Sequence, residues 1–167
     1  MKNLFLNLAF VFFLALPMAA CAEDAPSAQD LTIVTQDGAR HAFKVEIADT
    51  PAAREQGLMF RKQMDAGHGM LFKMDTVKPV AFWMKNTLIP LDIVFIQIDG
   101  TILSVVTGKP EDLTPLQSGG PVSGVLEING GRAAELNIKP GDKVVFPFFD
   151  DTEDKPEGNP EDSPESK

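Results

Sequence analysis

The chain has 167 residues, 24 acidic and 15 basic, for a formal net charge of −9, and 44% of it is hydrophobic. The acidity belongs to the ends: from Leu31 to Phe149 there are 13 acidic and 12 basic residues with no lysine or arginine cluster, which argues against a nucleic-acid partner. Cys21 is the sole cysteine, so the body of the chain has no thiol for a disulfide, a thiolate metal site or a cysteine nucleophile.

The first 22 residues have the plan of a secretory signal peptide. Lys2 precedes an apolar run from Leu4 to Leu16, and Pro17 leads into the small residues Ala19, Ala20 and Ala22. That run is short of the roughly 20 residues a membrane-spanning helix needs, so no transmembrane anchor is expected in the mature chain. Cleavage after Ala22 releases a periplasmic or secreted protein. Met18-Ala19-Ala20-Cys21 also resembles a bacterial lipobox, with Met18 where leucine is usual, and cleavage before Cys21 leaves a lipid anchor there. Residues 23–30 read as a polar linker, 31–149 as one domain and 150–167 as an acidic tail. The tail holds eight acidic and two basic residues and three prolines. It buries too little apolar surface to offset its ordering entropy, so disorder is expected.

Within the domain, Leu31 to Thr35 predicts a strand and Gln36-Asp37-Gly38-Ala39 a turn. Phe43, Val45 and Ile47 alternate with polar neighbours on a returning strand. Thr50-Pro51 opens a short helix that Gly57 stops. Gly69 to Met74 and Val80 to Met84 read as two strands joined by a turn near Asp75 to Lys78. Asp92 to Ile98 and Thr101 to Val106 flank Asp99-Gly100, the strongest hairpin signal in the chain. Thr107 to Pro121, rich in proline and glycine, reads as a long surface loop, followed by a strand from Val122 to Ile128. Arg132 to Leu136 gives a second short helix, Pro140-Gly141 a turn, and Val144 to Phe148 the last strand. The expected fold is mainly β: a compact antiparallel barrel or sandwich with two short helices, neither long enough for the usual β-α-β crossover.

Several blocks resemble a known family. They are Thr50 to Arg61 (TPAAREQGLMFR), Gly69 to Phe72 (GMLF), Phe82 to Thr87 (FWMKNT), Ile89 to Asp92 (IPLD) with Phe95, and Val125 to Ile128 (VLEI) with Gly131. Together they resemble the widespread prokaryotic DUF192 family over essentially all of Leu31 to Phe146. The resemblance implies a compact, mostly antiparallel β-structure with small helices, often secreted. It implies no reaction, because the family has none assigned.

The most promising polar cluster is Lys85, Asn86 and Asp92, on a bend that Trp83 enters and Pro90 pins. Lysine and aspartate can pair across such a bend and asparagine can bond its backbone. As a binding surface, Trp83 would wall a pocket, while Lys85, Asn86, Arg54 and Arg61 would present donors to an anionic or carbonyl-bearing ligand. Glu127 lies in Val-Leu-Glu-Ile, where alternation sets it opposite Leu126 and Ile128 on the outer face. Pointing inward, it would need a basic partner such as Lys85 or an arginine.

No catalytic signature and no cofactor motif is present. The serines lack a nucleophile elbow, the two histidines form no HExxH pair, and Gly130-Gly131 lacks a dinucleotide fingerprint, though it could seat an anion at a helix start. The leading expectation is an envelope binding or accessory domain that meets an envelope protein or a small ligand. One alternative is a small hydrolase of wall or glycan material using Asp92 and Glu127, which would have to meet in a cleft about 5 to 9 Å apart. The other is Cu(I) handling by Met64, His68 and Met70 or Met74, drawn from five methionines that lie between residues 59 and 84.

Overall fold

The computed structural model describes residues 28–150. The signal-like segment, Cys21, residues 23–27 of the linker and the tail beyond Asp150 lie outside them. Seven strands form one sheet: β1 (Gln29–Val34), β2 (Arg40–Ala48), β3 (His68–Phe82), β4 (Leu91–Ile96), β5 (Ile102–Gly108), β6 (Leu116–Asn129) and β7 (Lys143–Val145). Three short helices accompany them: α1 (Pro51–Gln56), α2 (Arg132–Glu135) and α3 (Pro147–Asp150). The spatial order is β5-β4-β6-β3-β2-β1-β7.

The sheet curls into an open half-barrel rather than the closed antiparallel barrel expected from the sequence. Its ends touch at one corner, where Thr101 bridges Lys143 and the Ile102 N–H donates to the Asp142 carbonyl at 2.8 Å. The expectation of a purely antiparallel sheet also fails at one place. β2 and β3 are parallel, Lys44 to Ala48 running beside His68 to Phe72. Parallel neighbours need a crossover connection. Here residues 49–67 make it with only the six-residue α1, capped at Thr50 by a 3.1 Å bond from the Ala53 N–H.

Three local expectations are corrected. β3 continues through Asp75 to Lys78 as one 15-residue strand, whose register against β6 breaks between Lys73 and Lys78 so that the polar residues project into solvent. Residues 116–121 belong to β6, not to a surface loop. Ser118 is buried there, accepting from the Val80 N–H at 3.1 Å and donating to the Gly120 carbonyl at 2.7 Å. The final strand ends at Val145 because Pro147 turns the chain into α3. Phe149 then covers Gly124, where an added Cβ would fall 2.7 Å from its ring.

Both faces of the sheet centre are covered, so Leu91 to Ile96 is buried without interruption. One face carries Phe43, Leu71, Val94, Leu126 and Phe146. The other carries Phe72, Leu91, Ile93, Phe95 and Val125, with Leu58 and Met84 packed over them from outside the sheet. This second face, roofed by α1 and the bend after Trp83, holds the site.

Candidate functional site

A pocket of about 130 Å³ opens on the second face. Its deep wall is Glu127 with Phe72 and Leu58, which are only 5%, 1% and 2% exposed. Its outer wall is Trp83, 52% exposed, with Glu55 and Gln56 at the end of α1. Gly57 ends that helix at φ 49°, and its Cα passes so close to Phe72 that an added Cβ would stand 3.2 Å from the ring. A larger residue at 57 would be strained and would crowd the pocket wall. Phe82 stands edge-on between Phe72 (5.0 Å between centroids) and Phe95 (6.1 Å), a geometry that fixes the strand end bearing Trp83.

Glu127 is the chemically unusual member. On β6 it lies across from Met70 of β3 and Ile93 of β4, so it projects among apolar side chains rather than from the outer face suggested by alternation. No basic partner meets it, and no described residue hydrogen-bonds its carboxyl. Burial alone pushes its pKa up to about 8, since water is removed from the charged form and nothing replaces it. At neutral pH the group is therefore mostly an uncharged acid facing a cavity.

Asp92 is equally buried, at 1% exposed, but fully partnered. One carboxylate oxygen accepts from Thr107 Oγ1 at 2.7 Å, and the other accepts from the Ala133 N–H at 2.8 Å in the first turn of α2. The N-cap of α2 is Gly131, which has no side chain for the task, and Asp92 supplies the acceptor from β4 instead. The helix start that the glycine pair suggested as an anion seat is thus filled by the protein's own carboxylate. Asp92 shares the face of Val94, and Glu127 that of Val125, so the sheet separates them. The common cleft a two-carboxylate hydrolase needs is absent.

The arginines do not converge. Arg54 lines the pocket, and its guanidinium donates to the Asp49 and Lys73 carbonyls at 2.8 and 3.0 Å and to the Asp75 carboxylate at 2.6 Å. It ties α1 to the irregular part of β3. Arg61 makes a two-pronged ion pair with Glu46 at 2.6 and 2.9 Å. Lys85 folds over Trp83, its Nζ 5.1 Å from the ring centroid, rather than pairing with Asp92. Asn86 takes φ 54°, accepts from the Phe60 N–H at 2.8 Å through its carbonyl, and places its amide 3.8 Å from Met59 Sδ. The donor set envisaged for an anionic ligand is therefore spent elsewhere.

Of the methionine group, Met70 is buried and Met64 and Met74 pack against the same core. His68 is exposed and lies 3.6 Å from Asp65. Among the described residues no group of three His, Cys, Asp or Glu side chains is placed to hold a metal ion. Sequence reasoning missed Leu58, Phe72, Phe82 and Thr87 as pocket residues, and it missed Asn129. The Asn129 amide donates to the carbonyls of Met64 and Asp65 at 3.0 and 2.9 Å, clamping the crossover to the end of β6. The four pocket residues lie in the family-like blocks, where core packing explained them equally well, whereas Asn129 falls just outside those blocks.

The comparisons with known proteins agree with the fold. A protein of unknown function from Novosphingobium aromaticivorans DSM 12444 is 42% identical, with a TM-score of 0.71, over 80% of this chain and 94% of its own. A candidate transcription regulator from Sinorhizobium meliloti 1021 is 41% identical, also at a TM-score of 0.71, over 74% of this chain and 96% of its own. No curated protein matches. Residues 32–146 match DUF192, described as an uncharacterised ACR, and the chain belongs to that family.

Proposed function

We propose that this protein is a non-catalytic binding domain of the bacterial cell envelope, taking a small ligand, or one side chain of a larger partner, into the pocket between Trp83 and Glu127. The observation that carries this reading is the unpartnered carboxyl of Glu127 in the deep wall. A buried polar group without a partner costs stability. A site that keeps one while opening a cavity beside it suits a ligand that completes the bond. The envelope placement rests on the signal-like first 22 residues, with release after Ala22 or lipidation at Cys21 as the two products. Among the described residues no helix is long and apolar enough to cross a membrane. The near balance of acidic and basic residues in the domain favours this reading over a nucleic-acid surface.

The test uses an internal probe. Trp83 is the only tryptophan and the chain has no tyrosine, so intrinsic fluorescence comes from the pocket rim. Fractionated small molecules from periplasmic extract, titrated into the protein, should give a saturable change in Trp83 emission that Glu127→Gln weakens. A response that Glu127→Gln leaves untouched, or no response from any fraction, would sink the proposal.

A further inference from the structure

Resting on that pocket, we infer that its ligand class is a primary ammonium carried on a short apolar stem, with the cationic head at Glu127 and the stem among Leu58, Phe72 and Phe82. The charges lining the pocket decide the sign. They are Arg54, Glu55 and Glu127, and the Arg54 guanidinium is already committed to Asp75 and two carbonyls. What remains is acidic. The opposite strands and the roof contribute no compensating cation to Glu127: Met70 and Ile93 flank it in the sheet, and Lys85 lies over the ring of Trp83. That stacked lysine also shows that the indole accepts an ammonium at its face. An anion entering here would meet the Glu55 charge and no free guanidinium, with the Glu127 proton as its single donor, and it would oppose the ionisation of Glu127. A neutral alcohol would find one hydrogen bond and no charge match. An ammonium finds a carboxylate partner, aromatic walls, and a cavity of about 130 Å³ that suits a chain of a few carbons.

Pairing requires Glu127 to give its proton to solvent, because the free site holds the neutral acid while an alkylammonium stays charged well above pH 8. Binding should therefore release one proton below the Glu127 midpoint and tighten about tenfold per pH unit until about pH 8, then level.

The experiment compares n-pentylammonium, 1-pentanol and pentanoate on the wild-type protein by Trp83 fluorescence, at pH values from about 6 to 9. A fourth arm, Nα-acetyl-lysine methylamide, distinguishes a free amine from a lysine side chain on a partner. The expected result is saturable binding of n-pentylammonium at least tenfold tighter than of 1-pentanol, no binding of pentanoate, and loss of both the preference and the pH slope in Glu127→Gln. Tight binding of the lysine derivative assigns a protein partner, and its exclusion assigns a free amine. Equal binding of pentanol and pentylammonium, or a preference for pentanoate, overturns the ammonium assignment while leaving the pocket as a binding site. Silence of all four probes also overturns it, and the extract titration then decides the pocket separately.

Discussion

Glu127 and Asp92 stand one register position apart on neighbouring strands, yet they face opposite sides of the sheet: Ile93 is the cross-strand partner of Glu127, and Ile128 that of Asp92. The two acids have opposite fates. Asp92 is saturated by a hydroxyl and a helix N–H, whereas Glu127 meets only apolar neighbours and a cavity. One holds the fold together, and the other burdens it.

The burden should show in the pH dependence of stability. The Glu127 carboxyl titrates near 4.5 unfolded and about 8 folded. Between those values the folded state keeps a proton that the unfolded chain has lost. Its contribution is therefore complete below about pH 4.5 and is lost as pH rises through about 8. Unfolding free energies from urea titrations should be lower at about pH 9 than at about pH 5 for the wild type, by an amount on the order of a few kcal/mol. Glu127→Gln should largely flatten that decline. Parallel slopes in the two proteins would show that Glu127 is not held neutral.

Asp92→Ala should be costly at every pH near neutrality. It leaves Thr107 Oγ1 and the Ala133 N–H without acceptors inside the protein. A loss of about 2–4 kcal/mol is expected in chemical denaturation. Amide exchange should quicken first in α2. A loss below about 1 kcal/mol would mean that water replaces the carboxylate easily.

Phe60 tests whether the crossover segment just beyond the pocket-lining Met59 carries a conformational penalty. It is 66% exposed, holds φ 62°, and is kept there by its bond to Asn86. A bulky residue in this region is strained. Phe60→Gly removes that strain and little buried surface, so stability should hold or rise, by up to about 1 kcal/mol. A fall of more than about 1 kcal/mol in the unfolding free energy would contradict this.

Gly69→Ala should harm both fold and site. Its Cβ would sit 2.5 Å from the Glu127 carbonyl oxygen, which is backbone and cannot swing away. Overpacking of about 1–3 kcal/mol is expected. The displaced β6 should also weaken any ligand response of Trp83. Stability within about 0.5 kcal/mol of wild type would show that the two strands have slack.

Much of this architecture was legible locally. Asp99-Gly100 marked its hairpin because the turn needs a positive φ, and Gly100 has φ 83°. Thr50-Pro51 and Gly57 bracketed α1 for equally local reasons. What failed depended on distant partners. The parallel pairing of β2 with β3 has no local signature. Asp75 to Lys78 reads as a turn by composition, yet it lies at an irregularity inside one long strand, because β3 pairs with β6 on both sides of it. Alternation could not orient Glu127 because Val122 to Ile128 is buried on both sides, so no polar face exists to set the phase. The candidate pocket was half legible. Trp83, Glu127 and Arg54 line it. Arg61 and Asp92 proved to be fasteners, which only their partners Glu46 and Thr107 reveal.

The crossover of residues 49–67 threads outside the sheet and carries α1, Gly57 and Leu58 over the cavity, while Glu127 and Phe72 belong to strands beneath. A ligand in the proposed pocket would therefore meet two structural layers with separate duties. The sheet fixes the acid at the base, and a pendant visor, tethered by Arg54 and Asn129, overhangs it. Substitutions in the visor would change the room for a stem without disturbing the acid below.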